Sequence, residues 1–225
     1  MNDTLHTVRR GIGDALPLFI PAIPFTLMLA IVILETGMLP AVGWSSSLVI
    51  YGGASQLTLL TLLGEGAALA AAVTAALIVN ARHLMYSAAM APTFQQQPPW
   101  FRWVGAYFLI DQVFALCILR IDDDPRSFRI YYLSAGMTFW SLWILCTALA
   151  LIVGPAVPQD WGLAFAVPVM FLALLVMGID RWPKAMAALA AGLVTLLAAE
   201  LPHRSGLLLG AVTGVAVGLL LERRQ

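Results

Sequence analysis

The chain has 225 residues, of which 61% are hydrophobic and 11% charged, and its mean hydropathy is +0.89. A soluble domain carries about 25% charged residues, so this composition cannot cover a water-facing surface and suits the hydrocarbon of a bilayer instead. Basic and acidic residues balance at 12 each, and Lys184 is the only lysine, which excludes the basic surplus of a nucleic-acid binder and argues against a polybasic lipid patch.

Eight apolar segments follow one another, at about 15–34, 44–63, 67–90, 104–121, 130–153, 162–178, 185–200 and 206–221. A perpendicular crossing needs about 20 residues, or ~17 at the short end. The last two segments are thus thin spans or parts of a tighter hairpin. The first, Ala15–Leu34, follows Arg9 and Arg10 as a signal peptide would. It is longer than the ~7–15 residues of a signal h-region, so it reads as a retained span. Its prolines, Pro17, Pro21 and Pro24, remove amide donors and disfavour the preceding turns, which predicts a kinked or broken helix serving as a hinge.

The second segment holds YGGASQ at 51–56. Gly52 and Gly53 let the backbone unwind or approach another helix, and Ser55 and Gln56 follow at once. An unwound stretch offers bare N–H and C=O groups, the device by which broken transporter helices hold substrate. The bland alternative is a small-residue packing face with Gln56 bonded to a neighbour.

NARHLMYS ends the third segment at 80–87. Asn80, His83 and Ser87 share one helix face, and Arg82 and Tyr86 an adjacent stripe. Arg82 could simply snorkel to the headgroups, and His83 could be structural. Together these polar side chains point to a lined cavity. The fourth segment carries Asp111, then Gln112, with Tyr107 one turn earlier on the face of Asp111. Desolvation raises carboxyl pKa values, so a carboxylate in a membrane is a candidate proton carrier. Asp111 could equally form a static pair with Arg82.

Further along, IDDDPRSFR at 121–129 is a polar turn. The last segment spaces Gly206, Gly210, Gly214 and Gly218 by one helical turn each, a smooth groove for packing on another helix of this chain or of a partner. Cys117 and Cys146 sit in apolar runs and read as small core or lipid-facing residues.

With alternating crossings and a cytoplasmic N-terminus, the inner loops hold Arg9, Arg10, Arg120, Arg126, Arg129, Arg181, Lys184, Arg223 and Arg224. The outer loops hold only Arg102 and Arg204. That bias favours both termini inside. The expected fold is an all-α polytopic membrane bundle of seven to eight spans, broken in its first half. It forms one transmembrane domain over 1–225, with packing helices at 130–221.

No GxxxxGK[ST] loop exists for ATP, the three histidines are scattered, and Ser55 lies in GGASQ rather than GxSxG. The chain therefore reads as no enzyme, with no cofactor and no metal site.

In the order GGASQ, NARHLMYS and LIDQVFAL (109–116), the chain resembles the AzlC/YgaZ family, large subunits of branched-chain amino acid exporters. The resemblance is strongest over about 11–120. It implies export of leucine, isoleucine, valine and sometimes methionine across the bacterial inner membrane, coupled to protons, with a small AzlD/YgaH-type membrane subunit as partner. Family members commonly carry a D-E pair where this chain has Asp111-Gln112, which puts the coupling group in question. A substrate site of Gly52, Gly53, Ser55, Gln56, Asn80, Arg82, His83, Tyr86 and Tyr107, with Asp111 coupling protons, is inferred from polarity alone. The rival readings are a scaffold subunit whose partner forms the path, and a permease for another small solute.

Overall fold

The computed structural model describes residues 2–156, 181–200 and 205–222, with isolated positions between 172 and 179. Among these residues every regular element is helical. They fall into two compact units, 1–167 and 168–225.

The first unit contains α1 (Asn2–Phe19), α2 (Ala22–Glu35), α3 (Pro40–Ile50), α4 (Gly53–Gly64), α5 (Leu69–Asn80), α6 (Arg82–Gln95), α7 (Pro99–Phe108), α8 (Asp111–Cys117) and α9 (Pro125–Val153). Proline opens α3, α7 and α9, where its missing amide costs nothing. Asp124 caps α9 by accepting from the amides of Arg126 and Ser127, each at 3.1 Å.

Among the described residues, two stretches are long and apolar enough to cross a membrane alone, Leu69–Gln95 and Pro125–Val153. The pair α1 and α2 makes a third crossing if taken together, bent by 60°. The bend falls at Ile20–Pro21, with Pro17 inside α1 and Pro24 in the first turn of α2. This bent pair runs alongside α9 in the same direction. Gly11 abuts Ser134, Phe19 meets Phe139 at 5.4 Å and Phe25 meets Trp143 at 5.8 Å. Leu34 lies by Gly154.

Segments 44–63 and 104–121 differ from the expected single crossings: each is a helical hairpin. In the first, α3 and α4 reverse at Tyr51–Gly52. The amide of Gln56 joins the two legs by donating to Ser46 Oγ and Ser47 Oγ, both at 2.8 Å. At the open end Gly43 abuts Ile33 and Gly64 abuts Thr36, so both legs start from the C-terminal end of α2. The tip reaches Phe25, near the start of α2. In the second, α7 climbs beside α9, with Tyr132 Oη donating to the Gly105 carbonyl at 2.7 Å and Phe108 against Gly136. The chain reverses at Leu109–Ile110, and α8 returns to place Arg120 on the Tyr131 ring, 4.0 Å from its centroid. Helices of 10 to 12 residues extend only about half of the ~30 Å hydrocarbon. Hydropathy sums apolar content and is blind to a reversal of direction inside a segment.

Arg10, Arg102, Arg120 and Arg129 collect at one end of this unit. Arg10 and Arg120 approach Asp14 at 4.0 and 3.7 Å. Arg129 donates to Gln97 Oε1 at 3.0 Å, and Arg102 to the Gln97 carbonyl at 2.9 Å. Arg102, expected on the other side, therefore joins them. The opposite end of the unit carries Glu35 and Glu65.

The second unit holds α10 (Trp182–Leu197) and α11 (Ser205–Glu222) as an antiparallel pair. Gly206 faces Ala198, Gly210 faces Thr195 and Ala191, Gly214 faces Ala191, and Gly218 faces Ala187. The glycine groove thus packs within this chain. Arg181 and Glu222 close the far end at 3.9 Å. Most of segment 162–178, together with Arg204, Arg223 and Arg224, lies outside the described residues.

Candidate functional site

Three helix breaks come together at mid-depth of the first unit, and each has a local cause. At Tyr51 the backbone is left-handed, φ 32° and ψ 52°, a conformation costing about 1–2 kcal/mol for a residue with a side chain. Gly52 then extends (φ −155°, ψ 93°) and starts α4. A Cβ at Gly52 would sit 2.8 Å from Ser55 Oγ and 3.1 Å from Asn80 Oδ1. The glycine is what lets the hairpin tip lie against the end of α5. At Ala81 one residue separates α5 from α6. At Leu109–Ile110 the chain extends, and α8 begins on Asp111. No glycine or proline marks this last break.

Arg82, opening α6, donates through its Nη1 to Asp111 Oδ2 at 3.0 Å, with side-chain exposures of 23% and 12%. The pair therefore ties two broken helices together inside the apolar body. The Tyr86 hydroxyl neighbours the same carboxylate. Its ring stacks on Phe114 at 4.5 Å. Asn80, two residues before Arg82, points its Oδ1 at the Gly52 tip.

Other expected residues are turned to structural work. The Ser55 hydroxyl donates to the Gly52 carbonyl at 2.8 Å, which also accepts the Gln56 amide at 2.9 Å. Gln56 braces the hairpin legs. His83 Nδ1 sits 3.0 Å from the Asn80 carbonyl, and its ring meets Tyr86 edge-on. Tyr107 donates to the Leu48 carbonyl at 2.7 Å and accepts from Trp140 Nε1 at 2.9 Å. Its ring stacks on Tyr51 at 5.4 Å, joining the two hairpin tips. Gly53 packs under Trp143 and Phe25.

Polarity along the sequence missed Tyr51 and Trp143. Both are buried, and Tyr51 Oη and Trp143 Nε1 make no hydrogen bond. Gln56 Oε1, Asn80 Oδ1 and Asp111 Oδ1 are likewise buried without a partner. Each such atom costs about 1–3 kcal/mol when left unsatisfied. Native structures keep few of them, so several in one region mark a place built to receive polar groups. The only sequence signal was an aromatic directly before the paired glycines.

A pocket of about 220 Å³ leads towards these breaks from the arginine end. It lies between α6 and α7, from Gln95 and Arg102 to Leu109, past Met90, Phe94 and Ala106.

The family model described as AzlC protein matches residues 17–157, which contain all three breaks. The chain is 24% identical over 220 residues to the inner membrane protein YgaZ of Escherichia coli strain K12, covering 93% of this chain and 90% of that protein. It is 26% identical over 192 residues to a protein of Archaeoglobus fulgidus named uncharacterized membrane protein, covering 84% and 83% respectively. No solved structure matches the chain.

Proposed function

The chain belongs to the AzlC protein family, and from that premise we propose that it is the large, substrate-carrying subunit of a two-component secondary transporter exporting branched-chain amino acids. The observation that carries this reading is the meeting of Arg82, Asp111 and Asn80 with two hairpin tips in the middle of an apolar body. An amino acid is a zwitterion with an apolar tail. Its carboxylate needs donors, its ammonium needs acceptors, and its tail needs hydrocarbon. Arg82, Tyr51 Oη, Trp143 Nε1 and the amides opening α4 are donors. Asp111 Oδ1, Asn80 Oδ1 and Gln56 Oε1 are acceptors. The pocket past Met90, Phe94, Ala106 and Leu109 suits the tail. Substrate entering between Arg82 and Asp111 exchanges one ion pair for two. This keeps both charges compensated where an unpaired charge costs several kcal/mol.

Asp111 is the proton-coupling group of this reading, because it is the carboxylate that the charge pair holds at mid-depth. The arginine end faces the cytoplasm, as the positive-inside rule requires, and the protein resides in the bacterial inner membrane as a multi-pass subunit. The flank of α5 and α6 stays largely open, with Leu69, Leu77, Ile78, Leu84 and Met85 exposed. Lipid and the small AzlD/YgaH-type subunit cover it. No catalytic step or cofactor is involved.

The test is leucine efflux from proteoliposomes holding this chain with and without the small subunit, under an imposed pH step. Asp111→Asn is expected to abolish the response to the pH step. Arg82→Lys, which keeps charge but loses the planar fork, is expected to raise the apparent KM. Efflux that stays proton-driven in Asp111→Asn would overturn the coupling role. Efflux indifferent to both variants and to Asn80→Ala would reduce the chain to a scaffold.

A further inference from the structure

The helices of the first unit recur. The start of α2 at Ala22 is matched by that of α6 at Arg82, α3 at Pro40 by α7 at Pro99, and α4 at Gly53 by α8 at Asp111. Each start thus returns about 60 residues later, as in the internal repeats of many transporters. The ends agree too: Phe19 with Asn80, Glu35 with Gln95, Ile50 with Phe108. Both copies are a broken transverse helix followed by a hairpin whose first leg opens on proline.

Their directions are opposed. The first copy leaves the arginine end, and its hairpin hangs from the Glu35 end, with Gly43 on Ile33 and Gly64 on Thr36. The second copy runs back, and its hairpin stands on the arginine end, held by Gln97 Nε2 to the Pro125 carbonyl at 2.9 Å and by Arg120 to Asp14. The tips meet through the Tyr51–Tyr107 stack. A pocket lies on each side of that meeting. One is the 220 Å³ cavity between α6 and α7, and the other, about 230 Å³, lies between α2 and α4 and is lined by Val32, Glu35, Thr36, Thr61, Gly64 and Glu65.

We infer that Asn2–Gly64 and Leu69–Arg120 are two copies of one span-plus-hairpin unit inserted in opposite directions, and that each hairpin gates the Arg82–Asp111 site from its own end of the protein. Two oppositely inserted copies can exchange conformations, which turns a site open to one side into the same site open to the other. The copies are not chemically equal. Ala22 and Gly53 stand in the first where Arg82 and Asp111 stand in the second. Only the second hairpin is tied to its own span by charge, so a zwitterion competing for that pair loosens the gate on the arginine side. This step rests on the transport reading above, whereas the duplication and the two gates do not depend on which solute moves.

The experiment tethers each gate in a variant carrying Cys117→Ala and Cys146→Ala. A Cβ built at Gly64 lies 3.6 Å from Thr36 Cβ, within the usual disulfide range of about 3.5–4.5 Å. Thr36→Cys/Gly64→Cys therefore fixes the first hairpin to α2. Phe108→Cys/Gly136→Cys, with Cβ atoms 3.0 Å apart, fixes the second to α9 after a small shift. The readout is labelling of Asn80→Cys by a membrane-impermeant maleimide added to either face of vesicles of known orientation. Without tethers, labelling from both faces is expected. Oxidised Thr36→Cys/Gly64→Cys should block it from the Glu35 face alone, oxidised Phe108→Cys/Gly136→Cys from the arginine face alone, and reduction should restore each. Tethers that leave labelling unchanged, or that both block one face, overturn the two-gate inference. If Phe108→Cys/Gly136→Cys does not fold, the first tether decides by itself, since it must spare the arginine face. Two-sided, tether-sensitive labelling, with no leucine efflux by the Cys117→Ala/Cys146→Ala protein that keeps Asn80, would sink the substrate assignment and leave the gates standing.

Discussion

Arg82 and Asp111 neutralise each other across two separate helices, so removing either leaves a charge where water is scarce. Arg82→Ala is expected to destabilise the detergent-solubilised protein by about 3–5 kcal/mol, read as a fall in Tm. Adding Asp111→Ala should return much of that loss, because the orphaned carboxylate is then gone. Tyr51→Phe is expected to behave in the opposite way. It removes a buried hydroxyl with no partner, so Tm should hold or rise, whereas the apparent KM for leucine should increase. A fall in Tm with unchanged KM would show the hydroxyl to be structural. At this scale Asn80, Arg82 and Asp111 were legible because a polar group in an apolar run stands out. Tyr51 and Trp143 were not, because an aromatic ring in such a run looks like filling. Their roles depend on what their polar atoms fail to reach, which is a three-dimensional property.

The elements show where a break can be read and where it cannot. Gly52 and the prolines near residue 20 announce theirs through known backbone preferences. The turn at Leu109–Ile110 has no such residue, and it forms because the second hairpin must reverse beside α9 under the Tyr51 ring. Gln56 is the residue that makes the first hairpin a rigid body. Gln56→Leu is expected to cost about 1–3 kcal/mol through the Ser47 hydroxyl it strands, visible as a lower Tm, and to raise the leucine KM because the Oε1 acceptor is lost with it. Between α10 and α11, the glycine groove leaves no room for a side chain at Gly210, which faces the Thr195 side chain and the Ala191 carbonyl. Gly210→Leu should separate this pair and expose it to limited proteolysis, while the single-residue change Gly192→Leu, at a position with open space, should not.

For the whole molecule, the hairpins alter which loops share a side. Strict alternation of eight crossings would place Glu65 with the N-terminus and Gln96 opposite. In the structure Glu65 lies with Glu35, and the Gln95–Gln97 turn lies with Arg102 and Arg129. In a cysteine-free variant, Glu65→Cys should therefore react with an impermeant maleimide outside intact cells, and Gln96→Cys only after permeabilisation. The reverse pattern would restore simple alternation.

Membrane residence, helical content and the standing-out of Asn80, Arg82 and Asp111 in apolar runs were determined by the sequence itself, because composition and local backbone preference act residue by residue. The direction of each apolar segment was not. A hairpin and a crossing of equal length bury the same hydrocarbon, so hydropathy cannot distinguish them. Only packing against α2 and α9 decides that 40–64 and 99–120 turn back, and it is that reversal which brings three breaks, one charge pair and two tips to a single place.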